Sequence, residues 1–291
     1  MAVKTIPASE VETVLAARAE VGEGPLWDDR EHVLWWVDIP RHAVHRLDPE
    51  SGTDSAIDVA RMVGAIALTA GGGLILALQD GFALYHSDQV DVITPVEADN
   101  PTTRMNDGYV DPQGRFWAGT MAISETTSVG SLYRLDPGGQ VTRMLTGVGI
   151  SNGIDWSPDG RTMYFADTTP RRVDAFDFDG PSGRISNRRT LIQYPAGGGS
   201  CDGLVVDAEG YLWVALWGGS AVHRYTPTGE LTTVVELPVT QVTKPAFGGR
   251  DLDDLYITSA RRGRHDEPGA GDLFVVRGVG VRGQRIHRFQ G

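Results

Sequence analysis

Short apolar runs of strand length recur along the chain, separated by clusters rich in Asp, Ser, Pro and Gly. Three stretches share one order. The first is Asn106-Asp107-Gly108 followed by Val110-Asp111-Pro112-Gln113-Gly114-Arg115-Phe116-Trp117-Ala118. The second runs from Asn152-Gly153-Ile154-Asp155-Trp156 through Ser157-Pro158-Asp159-Gly160 to Met163-Tyr164-Phe165-Ala166. The third runs from Asp202-Gly203-Leu204-Val205-Val206 through Asp207-Ala208-Glu209-Gly210 to Leu212-Trp213-Val214-Ala215. Each reads as an apolar strand, a tight turn and a second apolar strand carrying an aromatic residue. The turn chemistry is that of a hairpin: Pro presets φ, and Gly takes the positive-φ position.

Weaker copies complete the pattern. Glu23-Gly24-Pro25-Leu26-Trp27-Asp28 leads to Leu34–Val37, Gly64–Leu68 leads to Leu74–Ala77, and Pro245–Gly249 leads to Leu255–Thr258. Third strands follow at Val44–Pro49, Leu132–Pro137 and Val222–Pro227, and fourth strands at Val141–Leu145, Arg189–Ile192 and Leu231–Glu236. The units start near positions 23, 64, 106, 152, 202 and 244, at spacings of 41, 42, 46, 50 and 42. Six units of this length, each with four strands, predict an all-β fold: a single six-bladed β-propeller over residues 1–291. Val11–Glu20 is the one helical candidate. It reads better as a strand that supplies the outer edge of the last blade and closes the ring. A pair of packed sheets is the alternative, but such folds less readily display six aligned repeats.

Composition sharpens this picture. The 37 glycines are about 13% of the chain, against a usual value of roughly 7%. With 26 Lys+Arg and 38 Asp+Glu, the net charge is −12, which argues against a nucleic-acid partner. A single cysteine, Cys201, cannot make an internal disulfide, a thiolate zinc cluster or a redox pair, and fits a reducing compartment. Residues 1–20 lack the apolar and basic regions of a secretory signal, and no run of about 18 apolar residues occurs. The expectation is a cytoplasmic protein with no membrane partner. A monomer is the simplest expectation for a propeller.

In a propeller the first strand of each blade lines the central channel, so equivalent positions converge on one axis. Here those positions hold Glu23, Gly64, Asn106, Asn152, Asp202 and, by weaker alignment, Lys244 or Pro245. Four of them carry oxygen donors of the kind hard cations take, each beside or close to a glycine. An Asx-Gly pair is ordinary turn chemistry when it stands alone. Four polar side chains at one repeat position are a different matter, because buried carboxylates without a partner are costly. Such a donor set favours Ca²⁺, Mg²⁺ or Mn²⁺, with Zn²⁺ and Fe²⁺ left open. The seven histidines fall mostly in turns and third strands, and no Gly-X-Ser-X-Gly nucleophile motif is present. Cys201 is expected to pack beside the site and the tryptophans between blades, with Trp217 a candidate for the pocket wall.

At these residues the chain resembles the SMP-30/gluconolactonase/luciferin-regenerating-enzyme family of metal-dependent lactonases. The motifs that carry the resemblance are Gly22-Glu23-Gly24-Pro25, Arg104-Met105-Asn106-Asp107-Gly108, Phe116–Met121, Ser151–Trp156, Asp202-Gly203 and Phe247-Gly248-Gly249. The family fold is a six-bladed propeller, in agreement with the repeat count. The resemblance implies that Glu23, Asn152 and Asp202 ligate one divalent cation. It implies that Asn106 completes or flanks the site and touches substrate, and that Arg104 hydrogen-bonds the hydroxyls of a sugar lactone. Asp202 would act as, or next to, the general base. One departure stands out. Some members carry a substrate-contacting glutamate three residues after the Gly-Thr-Met motif, where this chain has Ser124, followed by Glu125. Ser124 is therefore a candidate substrate contact without charge. The competing functions are an organophosphate or other ester hydrolase on the same metal, and a ligand- or partner-binding propeller with a structural ion.

Overall fold

The turn chemistry is built around buried aspartates. Asp111, fully buried, accepts hydrogen bonds from the backbone N–H groups of Gln113 (2.9 Å) and Arg115 (3.0 Å) and from the indole of Trp117 (2.9 Å). Asp207 does the same for Glu209, Tyr211 and Trp213 two blades on. One side chain thus ties the turn to the strand that follows, which explains why Asp-X-X-Gly recurs before an aromatic strand.

The computed structural model, which describes residues 2–291, folds these hairpins into six antiparallel sheets around an axis. The inner strands are Gly22–Asp28, Val63–Leu68, Thr103–Val110, Ser151–Trp156, Ser200–Val206 and Val242–Gly248. The chain is a six-bladed β-propeller, as the repeat predicts. Within the Val11–Glu20 segment, Glu12–Leu15 forms a strand antiparallel to Leu273–Val276, and so supplies the outer strand of the sixth blade. Ahead of it, Lys4–Ile6 lies parallel to Leu231–Glu236 as a fifth strand on the fifth blade, which the sequence pattern did not predict.

Aromatic side chains fill the wedges between blades. Trp117 meets Trp156 edge-on at 5.8 Å, Trp213 meets Phe247 at 5.8 Å, and Trp27 stacks on Tyr256 at 5.5 Å. Each pair joins neighbouring blades.

All six inner strands slip in register against their second strands where they enter the channel. In the third, fourth and fifth blades two residues stand opposite one: Asn106-Asp107, Asn152-Gly153 and Asp202-Gly203. A bulge breaks the strict in–out alternation and re-aims side chains at the axis. Glycine is needed there for space. A Cβ on Gly153 would collide with the backbone nitrogen of Leu204, and one on Gly203 with the side chain of Lys244.

The chain's last segment crosses the other end of the channel and touches every blade. Val279 and Gly283 donate backbone hydrogen bonds to the sixth blade, and Arg282 accepts one from Ala208 of the fifth. Gln284 donates to the Trp156 carbonyl of the fourth blade (3.0 Å). Arg288 pairs with Asp28 of the first (3.1 Å). Phe289 donates to Leu68 of the second, and Gln290 to Gly114 of the third. Among the described residues, no helix is long and apolar enough to cross a membrane.

Candidate metal and substrate site

Five inner-strand side chains, Glu23, Arg104, Asn106, Asn152 and Asp202, line one pocket at the mouth of the channel, and all five are buried. They come from four blades, and three of them, Asn106, Asn152 and Asp202, stand in the bulges.

A chain of hydrogen bonds orients the two amides. Thr168, at the end of the fourth blade's second strand, donates its hydroxyl to the Cys201 carbonyl at 2.8 Å. Its oxygen therefore receives the Asn152 amide N–H (2.7 Å), which turns the Asn152 oxygen toward the pocket side of the amide. That oxygen accepts from Asn106 Nδ2 at 2.9 Å, and the same nitrogen donates to the Ser151 carbonyl at 2.7 Å. With its nitrogen committed, Asn106 offers its oxygen to the Arg104 guanidinium (2.6 Å). Arg104 also donates to the Met105 carbonyl at 3.0 Å. No carboxylate forms a salt bridge with Arg104 among the described residues. Burial pulls its guanidinium down to about 10, and the nearby charge of Glu125 opposes that shift.

The carboxylates are in the opposite condition. Glu23 accepts the Gly24 N–H at 2.7 Å, yet burial and then the charge of Asp107 push it up to about 8. Burial also raises Asp202 well above the usual carboxylate range, followed by the charges of Glu23 and Asp107. Two buried carboxylates, both raised by burial and by the charge of Asp107, beside an amide oxygen whose nitrogen is tied elsewhere, form a donor set short of positive charge. An oxygen-seeking divalent cation fits this set. Glu23, Asn152 and Asp202 are the residues that could hold it. Histidine and cysteine do not contribute: no His lines the pocket, and Cys201 is fully buried with its thiol against the Asp167 and Arg172 carbonyls.

Ser124 does not sit where its place in the sequence suggested. It is exposed on the turn after Ala122, and its hydroxyl bonds Thr126 at 2.9 Å. Its neighbour Glu125 lines the pocket instead, paired across the mouth with Arg262 of the sixth blade at 2.7 Å. The backbone explains the swap. Glu125 itself adopts a left-handed conformation (φ 60°) with its N–H bonded to the Ala122 carbonyl, and this tight turn sends its side chain a different way from that of Ser124. Trp217, Met121, Ile39 and Ile150 form the apolar part of the wall.

Sequence reasoning missed Thr168, Glu125, Arg262 and Asp107. Asp107 carried a signal, since it follows Asn106 inside the same motif. Thr168 and Arg262 lie outside the repeated positions and carried none.

Known proteins resemble this chain over most of its length. The model for the SMP-30/Gluconolactonase/LRE-like region matches residues 21–261. Regucalcin of Xenopus laevis is 39% identical over 295 residues, covering 97% of this chain and 99% of that protein. The Bacillus subtilis protein named "Putative sugar lactone lactonase YvrE" is 38% identical, covering 88% of this chain and 91% of its own length. Among solved structures, the Agrobacterium tumefaciens protein described as a calcium-binding protein, regucalcin, superposes with a TM-score of 0.94 at 31% identity, with all of both chains covered.

Proposed function

Since the chain belongs to the SMP-30/gluconolactonase/LRE-like family, we propose that it is a metal-dependent lactonase that opens a sugar lactone to its aldonic acid. The observation that carries this reading is the meeting, in one pocket, of three oxygen donors (Glu23, Asn152, Asp202) with a guanidinium that no carboxylate holds (Arg104).

A lactone is a cyclic ester. Its hydrolysis adds water oxygen to the carbonyl carbon and breaks the bond from that carbon to the ring oxygen, which leaves as a hydroxyl. Glu23, Asn152 and Asp202 would hold a divalent cation, which when bound would supply Lewis acidity for the carbonyl and lower the pKa of water. The side chains do the rest. Asp202 accepts the proton of the attacking water and returns it to the departing ring oxygen. Arg104 presents planar N–H donors to the polyol oxygens and positions the ring. Asn106 keeps Arg104 and Asn152 in register, and its oxygen is within reach of a substrate hydroxyl. Trp217 gives the C–H face of a sugar ring an apolar surface. The calcium-binding description of the Agrobacterium neighbour makes Ca²⁺ the first ion to test.

The test is proton release by chelator-treated protein on a panel of aldonolactones. Each lactone is run without metal and with Ca²⁺, Mg²⁺, Mn²⁺, Zn²⁺ or Fe²⁺, corrected for spontaneous hydrolysis. Metal-dependent release on one or two sugar lactones is the expected result. Silence across the panel with metal bound would overturn the lactonase reading and favour another ester or a non-enzymatic propeller.

A further inference from the structure

Beneath the pocket lies a second group of charges that lactone chemistry does not use. Lys244 stands on the sixth inner strand, the channel-facing position the repeat had aligned only weakly. Its ammonium contacts Asp107 Oδ1 of the third blade and sits 5.7 Å from the ring centroid of Tyr109. The Lys244 and Asp107 side chains are only 4% and 1% exposed. Asp107 Oδ1 also receives the Gly108 N–H at 2.7 Å, while its Oδ2 has no partner. Asp155, on the fourth inner strand, is buried and accepts the N–H groups of Trp156 and Val206 at 2.7 Å each.

Charge arithmetic links this group to the pocket above. The buried channel holds four carboxylates, Glu23, Asp107, Asp155 and Asp202, and two cationic side chains, Arg104 and Lys244. With all of them ionised the carboxylates outnumber the cations by two, the charge that one divalent ion neutralises. A buried lysine is expensive unless it is paired, and a pair across the channel does not by itself favour one fold over an apolar substitute. Its position among the carboxylates suggests another task.

We infer that Lys244 is a built-in counter-cation of the channel which, together with Asp107, sets the affinity of the pocket for its divalent ion. This rests on the metal site of the lactonase reading. The charge of Lys244 acts on Glu23 and Asp202, two of the residues that would hold the cation, and so opposes a cation there, while the charge of Asp107 acts on both in the opposite sense. Lys244 is thus a positioning residue for charge, touching neither substrate nor reacting atoms.

Sign separates this role from a purely structural one. Removing the positive charge in Lys244→Met leaves the channel more negative, and removing the negative charge in Asp107→Asn leaves it more positive. The measurement is Ca²⁺ and Mn²⁺ affinity of purified full-length protein, by calorimetry or competition with a fluorescent chelator, at a pH above 8. The expected result is tighter binding in K244M and weaker binding in D107N, each by at least about tenfold, because unit charges buried in one channel are weakly screened. The double variant should return to within a few-fold of the parent, and Lys244→Arg should keep the parent affinity. Weakening in both single variants, no change in either, or K244R behaving as K244M would overturn the inference. Thermal midpoints of each variant guard against misfolding, and D107N, nearly isosteric, keeps the test decisive if K244M does not fold. A parent protein that binds neither ion would instead strike at the metal reading and take this inference with it. Parent binding with same-sign variants would overturn the counter-cation role alone.

Discussion

Asn106 Nδ2 donates to Asn152 Oδ1 at 2.9 Å, so an amide of the third blade holds an amide of the fourth. The proposed substrate contact therefore also orients the proposed metal ligand. Asn106→Asp removes the donor, sets a carboxylate against the Ser151 carbonyl, and draws Arg104 into a salt bridge. The change removes two donated hydrogen bonds, each worth about 1–3 kcal/mol when buried, and the new pair with Arg104 offsets part of the loss, so kcat/KM on the best lactone should fall roughly 10- to 100-fold. Metal affinity should fall less, since the new charge partly offsets the lost orientation. Steady-state kinetics at saturating metal, paired with a metal titration, checks both. Unchanged kinetics would remove Asn106 from the site.

The raised carboxylates give the metal-free protein a definite pH signature. Burial lifts Glu23 from 4.5 to about 8, and Asp155 from 3.8 to about 7. A carboxyl whose folded pKa is raised binds its proton more tightly in the folded state. Its contribution to stability is therefore fully present below the unfolded pKa and lost as pH rises to the folded value. The thermal midpoint of chelated protein should drop between about pH 5 and pH 8. Saturating divalent ion should flatten that slope, and metal uptake near neutral pH should release protons. Calorimetry in buffers of different ionisation enthalpy counts them. A midpoint that climbs steadily over this range in the metal-free protein would contradict the assignment.

The turn after Ala122 separates two adjacent residues that the sequence could not tell apart. Ser124→Ala removes a hydroxyl that bonds only Thr126, so KM for a lactone should stay within about twofold. Glu125→Gln breaks the pair with Arg262 at the mouth and should change KM several-fold, with a smaller effect on kcat. The reverse ranking would return the substrate contact to Ser124.

Phe289 anchors the segment that crosses the far end of the channel. Its ring is 1% exposed among side chains of the second and third blades, and its backbone bonds both Leu68 and Ala70. Phe289→Ala should cost about 3–5 kcal/mol. Chemical denaturation would read this as a lower midpoint. A loss below about 1 kcal/mol would mean that the segment rests on the blades without bracing them.

Much of this architecture is legible because it is local. Asp111 and Asp207 hold their hairpins through residues two to six places along the chain, so the turns appear in sequence as repeats. Counting those repeats yields six blades and places Glu23, Asn106, Asn152 and Asp202 at equivalent positions. The strand at Glu12–Leu15 was also readable, because a closed ring needs a partner for its last edge.

The sequence by itself thus determined the number of blades, most of the strands within them and the inner positions that bear oxygen donors, though not the added edge strand at Lys4–Ile6. The tertiary structure alone decided which side chains meet those donors. Thr168 orients Asn152 through a hydrogen bond that spans 16 residues, and Lys244 reaches Asp107 across 137. Neither separation leaves a periodic trace. The bulges add a second reason. One extra residue in an inner strand shifts the phase of every side chain beyond it, so alternation read from the sequence cannot say which of two neighbours enters the channel. At Asn106-Asp107 the structure sends one residue to the pocket and the other to Lys244, and only the register of the folded sheet makes that choice.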